Sequence, residues 1–204
     1  MALTLYAVKP RFQAALRRLA DGCVRGGISA DALTGAGLGA AAGAGAILAA
    51  AGARPGWLVA GVPLLLFGRI ACNALDGMVA RAAGSARPWG TVLNETGDRL
   101  ADLLVFGGLI ASGALPPFAA LALLPALLLV SYLGVIGQAA GGARCHAGPL
   151  GKADRMLLVG LYCPLAPWLP GAGAALGWAL LGGLALTAIN RLRALAADPA
   201  LRAS

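Results

Sequence analysis

The sequence predicts an all-α membrane protein, a polytopic bundle of six transmembrane helices behind an amphipathic, interfacial N-terminal helix. Three observations predict it. Hydrophobic residues make up 59% of the 204 and charged residues only 12%, and the mean hydropathy is +0.81, so the chain lacks the polar surface of a water-soluble globule. Apolar stretches approaching the roughly 20 residues needed to cross a bilayer core recur along the whole chain. Glycine and alanine are frequent throughout, which suits close helix packing in lipid. A single membrane domain over residues 1–204 follows, with the bundle at 31–196.

The opening MALTLYAVKP is a brief apolar run cut by Lys9 and Pro10, without the apolar length or small-residue cleavage site of a signal peptide. Residues 9–26 then set Phe12, Leu16, Leu19 and Cys23 at helical spacing against Arg11, Arg17, Arg18 and Arg25. That is the pattern of a basic helix lying on a membrane; a solvated tail is the plainer alternative. Past Ser29 and Asp31, residues 33–51 form the first span. The second, 57–80, is unusually polar in its second half. A third, 88–113, again carries its polar residues at one end, and Pro116 and Pro117 break the chain before a fourth at 117–137. A polar loop, 140–154, leads to a short fifth span at 156–169, interrupted by Pro164 and Pro167. Residues 173–189 form the sixth, followed by a polar tail. Cys23, Cys72, Cys145 and Cys163 are far apart and include no CxxC pair, so they read as small apolar filler rather than a disulfide framework or zinc site.

Orientation comes from the basic residues, which cytoplasmic loops retain. With the N-terminus inside, the 16 basic residues all fall on inner segments except Arg54, in an outer loop, and Arg69 and Arg99, within spans. The bias supports an even number of spans. The net charge of +8 reads as a basic rim facing anionic lipid and phosphate, and nucleic acid is a poor partner for so apolar a chain.

Of eight acidic residues, Asp76, Glu95, Asp98 and Asp102 fall between positions 73 and 102. Ionisable groups are costly in a membrane helix, so their clustering is a functional signal. On the second span Arg69, Asn73, Asp76, Gly77, Ala80 and Arg81 share one face. On the third, Gly90, Asn94, Asp98 and Asp102 do the same, with Glu95 beside the stripe. The connection from Arg81 to Pro88 is short, so these spans are antiparallel neighbours whose polar faces can meet near the cytoplasmic surface. Oxygen donors from two facing helices suit a hard divalent cation, Mg²⁺ or Mn²⁺. Gly77 and Ala80 leave room for a phosphate-bearing ligand, and Arg81 offers it a guanidinium fork. Metal, phosphate clamp and carboxylate base together describe phosphoryl transfer.

Residues 73–98 read NALDGMVARAAGSARPWGTVLNETGD. This resembles the CDP-alcohol phosphatidyltransferase signature D-x2-D-G-x2-A-R-x8-G-x3-D-x3-D in every spacing. Identity holds at Asp76, Gly77, Ala80, Arg81, Gly90 and Asp98, while Asn73 and Asn94 stand where the family has its first and third aspartates. The resemblance implies six spans behind an amphipathic helix, a homodimer, and a site open to the cytoplasmic side of a bacterial inner membrane. It implies a reaction of phospholipid biosynthesis: a substituted phosphate group passes from a CDP-alcohol such as CDP-diacylglycerol to an acceptor alcohol, releasing CMP. It also implies divalent-metal binding at Asn73, Asp76, Asn94 and Asp98, a general base at Asp98, and CDP contacts at Asp76, Gly77, Ala80 and Arg81. SADALT at 29–34 is similar to the family's P-N-x-x-T segment, agreeing at Thr34 and departing at Ala30 and Asp31.

An asparagine carbonyl still ligates Mg²⁺, but two Asp-to-Asn changes lower the site's formal charge from −4 to −2, so a second divalent ion is poorly neutralised. Glu95 is expected to restore part of that charge as a further metal ligand, together with Asp102. In the loop GPLGKADR, Lys152 and Arg155 stand at i, i+3 on the cytoplasmic side, where they bind a phosphate on the acceptor or simply supply positive-inside charge. Arg69 and Arg99 either pair with cluster carboxylates or bind phosphate. Two other classes remain open: a catalytically degenerate nucleotide- or lipid-binding member, favoured by the two asparagines, and a small transporter.

Overall fold

A computed structural model describes residues 9–52 and 57–202, with side chains over 14–52 and 59–202. The N-terminal run 1–8 and Arg54, used above for targeting and orientation, lie outside the described residues. Those residues form helices and connections without strands. The helices are α1 (Lys9–Arg25), α2 (Ala30–Ala51), α3 (Val62–Ala82) entered through a 3₁₀ turn at Trp57–Gly61, α4 (Pro88–Ala111), α5 (Pro117–Ala139), α6 (Lys152–Leu165), α7 (Ala172–Ala196) and α8 (Pro199–Arg202).

Starts and stops follow local chemistry. The Ser29 hydroxyl accepts from the Ala32 N–H at 3.1 Å and opens α2. Prolines in the first turn open α3, α4 and α5, where the missing N–H costs nothing. Asp154 accepts from the Gly151 N–H at 2.9 Å at the start of α6. That helix therefore begins four residues before the expected 156 and ends at Leu165, because Pro167 disfavours helix at Ala166 and removes a donor. The expected polar tail is mostly helix too, since α7 runs on through Asn190 and Arg193 to Ala196.

Four stretches are long and apolar enough to cross a membrane: Ala30–Ala51, Val59–Ala82, Pro117–Ala139 and Ala172–Ala196. Of the six expected, α4 falls short because Glu95, Asp98, Arg99 and Asp102 lie along its middle, and α6 because it has only 14 residues. The charges of α4 point inward: Asp98 and Asp102 are buried, whereas Val92, Leu100, Leu103 and Leu104 are exposed.

The core runs the length of the bundle, from Leu48, Val105 and Leu109 to Leu123, Met156, Leu180 and Leu184. Helices α2 and α4 meet backbone to backbone, for a Cβ on Gly108 would stand 2.1 Å from the Gly45 carbonyl oxygen. A satellite cluster packs α1 on α2 and α3 through Leu16, Ala20, Leu33, Leu75 and Val79. Leu19, expected on that inner face, is 58% exposed, because the buried side follows 16, 20 and 23 rather than 16, 19 and 23. At one end of the bundle, where α5 and α7 begin and α6 stops, Phe118 stacks on Trp178 with centroids 6.0 Å apart and Trp168 is exposed. At the opposite end α3 finishes, and α2, α4 and α6 start.

Candidate functional site

That opposite end holds the polar cluster. Five residues connect α3 to α4, so the last turns of α3 lie beside the first turns of α4, and α2 packs across both. Asp76 is held from three helices' worth of donors: the Thr34 hydroxyl of α2 at 2.9 Å, the Asn94 amide of α4 at 2.8 Å, and its own neighbour's N–H, Gly77, at 2.5 Å. Asp98, buried, accepts from Arg69 at 2.8 Å and from the Asn73 amide at 3.0 Å on one oxygen, while the Lys152 ammonium contacts the other. Each asparagine thus spends its NH₂ on a neighbouring carboxylate and leaves its carbonyl oxygen available. Between them lies a void of about 10 Å³ lined by Thr34, Arg69, Asn73, Asp76, Asn94 and Asp98.

Of the expected metal donors, Asn73, Asp76, Asn94 and Asp98 therefore converge. Glu95 does not join them: it accepts from Arg99 at 2.8 Å and from Arg144 at 2.5 Å. The reason is rotational, since one residue along a helix turns a side chain by about 100°, and Glu95 follows Asn94 towards the loop after α5. Asp102 is likewise taken, by an ion pair with Arg155 in which both groups are buried. Among the described residues no three His, Cys, Asp or Glu side chains assemble into a metal site, so any ion here relies on the asparagine carbonyls.

The cluster adjoins a larger cleft of about 1280 Å³, walled by Thr34, Gly77, Ala80 and Arg81 on one side and by Arg99, Arg144, Lys152 and Arg191 on the other. Arg81 is exposed and swings over Gly77, where a Cβ would meet its Nη1 at 3.2 Å. Asp31, the departure in the first-span segment, pairs at the surface with Arg87. Lys152, the first residue of α6, stands ahead of the apolar run that begins at Met156 and reaches from there to Asp98. Arg155, expected beside it as an acceptor ligand, lies against Asp102 instead. One cation was missed as a site residue by sequence reasoning. Arg191 donates to the carbonyls of Val130 at 2.5 Å and Ala147 at 3.2 Å, tying α5 and the 140–151 loop to α7. In sequence Arg191 sits with Asn190 and Arg193 at the polar end of the last apolar run, where it reads as inner-loop charge.

Known proteins resemble this chain over nearly its whole length. The inner membrane protein YnbA of Escherichia coli is 34% identical over 196 residues, which are 94% of this chain and 96% of that one. Phosphatidylinositol phosphate synthase of Mycolicibacterium smegmatis is 31% identical over 195 residues, 90% of this chain and 84% of that one. A crystal structure of phosphatidylinositol phosphate synthase from Mycobacterium tuberculosis with CDP-DAG bound matches with a TM-score of 0.75 at 26% identity, covering 89% of this chain and 94% of that one. The same enzyme in complex with manganese and citrate matches at a TM-score of 0.76 and 24% identity, covering 89% of each chain. No protein-family model matches the sequence.

Proposed function

The chain belongs to the CDP-alcohol phosphatidyltransferase family, membrane transferases of phospholipid biosynthesis, and on that premise we propose that it transfers a substituted phosphate group from CDP-diacylglycerol to an acceptor alcohol, releasing CMP. The observation that carries this reading is the convergence of Asn73, Asp76, Asn94 and Asp98 beside a cationic cleft. The cleft exceeds the roughly 300–1,000 Å³ of an ordinary ligand pocket, which is room for a donor head group and an acceptor together.

Thr34, Asp76, Gly77, Ala80 and Arg81 hold the CDP moiety, with Arg81 forking the diphosphate. The oxygen-only donor set of Asn73, Asp76, Asn94 and Asp98 fits Mg²⁺ or Mn²⁺, which when bound supplies Lewis-acid polarisation of phosphoryl oxygens. Asp98 takes the proton from the acceptor hydroxyl. The freed oxygen attacks the phosphorus bearing the lipid alcohol, the P–O bond to CMP breaks, and CMP carries away the bridging oxygen. Arg81 neutralises charge gathering on the diphosphate as that bond opens.

The acceptor is a polyol phosphate, and the support is the cationic wall: Lys152 at the junction of cluster and cleft, Arg144 and Arg99 beside Glu95, and Arg155 behind them. Helices α2 to α7 all cross the bilayer, α1 lies on its surface with Arg17, Arg18 and Arg25 outward, the cleft opens to the cytoplasm, and the enzyme works as a homodimer. A second reading is favoured by one feature, the occupation of Asp98 by Arg69 and Lys152: a chain that binds the donor without turnover. Purified protein given CDP-diacylglycerol, Mg²⁺ or Mn²⁺, and a panel of free and phosphorylated polyols separates the two. CMP release with the phosphorylated acceptors alone is the expected result. Donor binding without CMP release from any acceptor supports the second reading, and release with unphosphorylated polyols alone removes the acceptor assignment.

A further inference from the structure

We propose that this site holds one divalent cation rather than two, and that the Lys152 ammonium supplies at Asp98 the positive charge a second ion would bring. The inference rests on the phosphotransfer reading above, and three observations lead to it.

The first is room. The void that Asp98 lines together with Thr34, Asn73, Asp76 and Asn94 is about 10 Å³, the space of a single water-sized particle, so a second ion would lie outside it, in the cleft that Asn73, Asp76 and Asn94 also line but Asp98 does not. The second is charge. Asp76 and Asp98 contribute two negative charges, and Arg69 and Lys152, both on Asp98, return two positive ones. The diphosphate of a CDP-alcohol brings two more negative charges, which one divalent ion balances. A second ion would leave an excess of two positive charges where solvent screening is weak. The third is that the neighbouring carboxylates cannot make up the deficit. Glu95 is shared by Arg99 and Arg144, and Asp102 is locked to Arg155 in the interior. A second ion would have to compete with Lys152 for the outer oxygen of Asp98, a contact reached from the start of α6, a different helix from those carrying the donors.

Counting Mn²⁺ ions on the detergent-solubilised full chain tests this, with CDP-diacylglycerol present and no acceptor added, and free Mn²⁺ followed by its paramagnetic resonance against a protein-free blank. We expect one ion per chain for the natural sequence and two for the double variant Asn73→Asp, Asn94→Asp. Two ions, or none, on the natural sequence overturns the proposal. Lys152→Met isolates the lysine. Removing a fixed cation should tighten binding of the single ion by at least about tenfold while CMP release falls, a divergence that simple misfolding would not produce. Unchanged or weaker Mn²⁺ binding in that variant overturns the role given to Lys152. Ion counting needs no turnover, so a chain that binds one Mn²⁺ and never releases CMP sinks the phosphotransfer reading and leaves the ion count standing.

Discussion

Asp98 accepts from Arg69, Asn73 and Lys152 at once, so its negative charge anchors two cations as well as being the base of the proposed reaction. Replacing it with asparagine keeps the shape and removes the charge. The expected outcome for Asp98→Asn is a fall in CMP release of about 10²–10⁴-fold, the range of a lost general base, with binding of labelled CDP-diacylglycerol retained. An active variant would move the base elsewhere. Glu95→Gln tests the neighbouring position. With both Glu95 oxygens already taken by Arg99 and Arg144, the Mn²⁺ count should stay unchanged while the KM for a phosphorylated acceptor shifts as Arg144 is released; a lost ion would return Glu95 to the metal set. Asp76 and Asp98 were legible because motif spacing survives in one dimension. The partners of Glu95 were not: helical rotation sets it about 100° from Asn94, but Arg144, which takes one of its oxygens, lies 49 positions on. The partnership of Lys152 with Asp98 joins segments 54 residues apart and left no local trace.

At the scale of elements, the site depends on how closely α2 approaches α4. Thr34 reaches Asp76 across that approach, and Asn94 and Asp98 enter from the α4 side. The crossing is tight at Gly45 and Gly108, where backbone meets backbone and an added methyl would lie 2.1 Å from a carbonyl oxygen. Unlike the end of a flexible side chain, that oxygen has no rotamer to yield. Gly108→Ala should therefore destabilise the bundle by about 2 kcal/mol or more, as overpacking does, and lower the thermal denaturation midpoint in detergent. Gly107→Ala, one position away with open space around it, is the control that should leave the midpoint near its natural value. Glycine abundance announced close packing in the sequence, but with 31 glycines no pattern singled out this pair. Helix ends were easier to place, because Ser29, Pro88 and Pro117 carry their boundary chemistry locally.

For the whole molecule, the number of crossing helices turns on which way the polar side chains of α4 face and how far α6 reaches. By composition four do, yet α4 has 24 residues and rises about 36 Å, enough for a hydrocarbon core of roughly 30 Å. Its low hydropathy comes from groups turned inward, while Val92, Leu100, Leu103 and Leu104 face outward, the arrangement a lipid-facing helix with a polar site requires. Helix α6, at 14 residues, rises only about 21 Å, but exposed Trp168 and Leu169 continue its apolar line towards the end where Phe118 stacks on Trp178. Counting the termini cannot separate four crossings from six, since both numbers are even. The turn between α4 and α5 can. If α2 to α7 all cross, it lies on the outer face; if α4 and α6 do not, it lies inside with the cleft. A single cysteine at the exposed Ala111, in a chain whose four native cysteines are replaced by alanine, should react with a membrane-impermeant maleimide added to spheroplasts. Reaction only after permeabilisation would reduce the bundle to four crossings and turn α4, with Asn94 and Asp98, into a helix packed at the membrane surface.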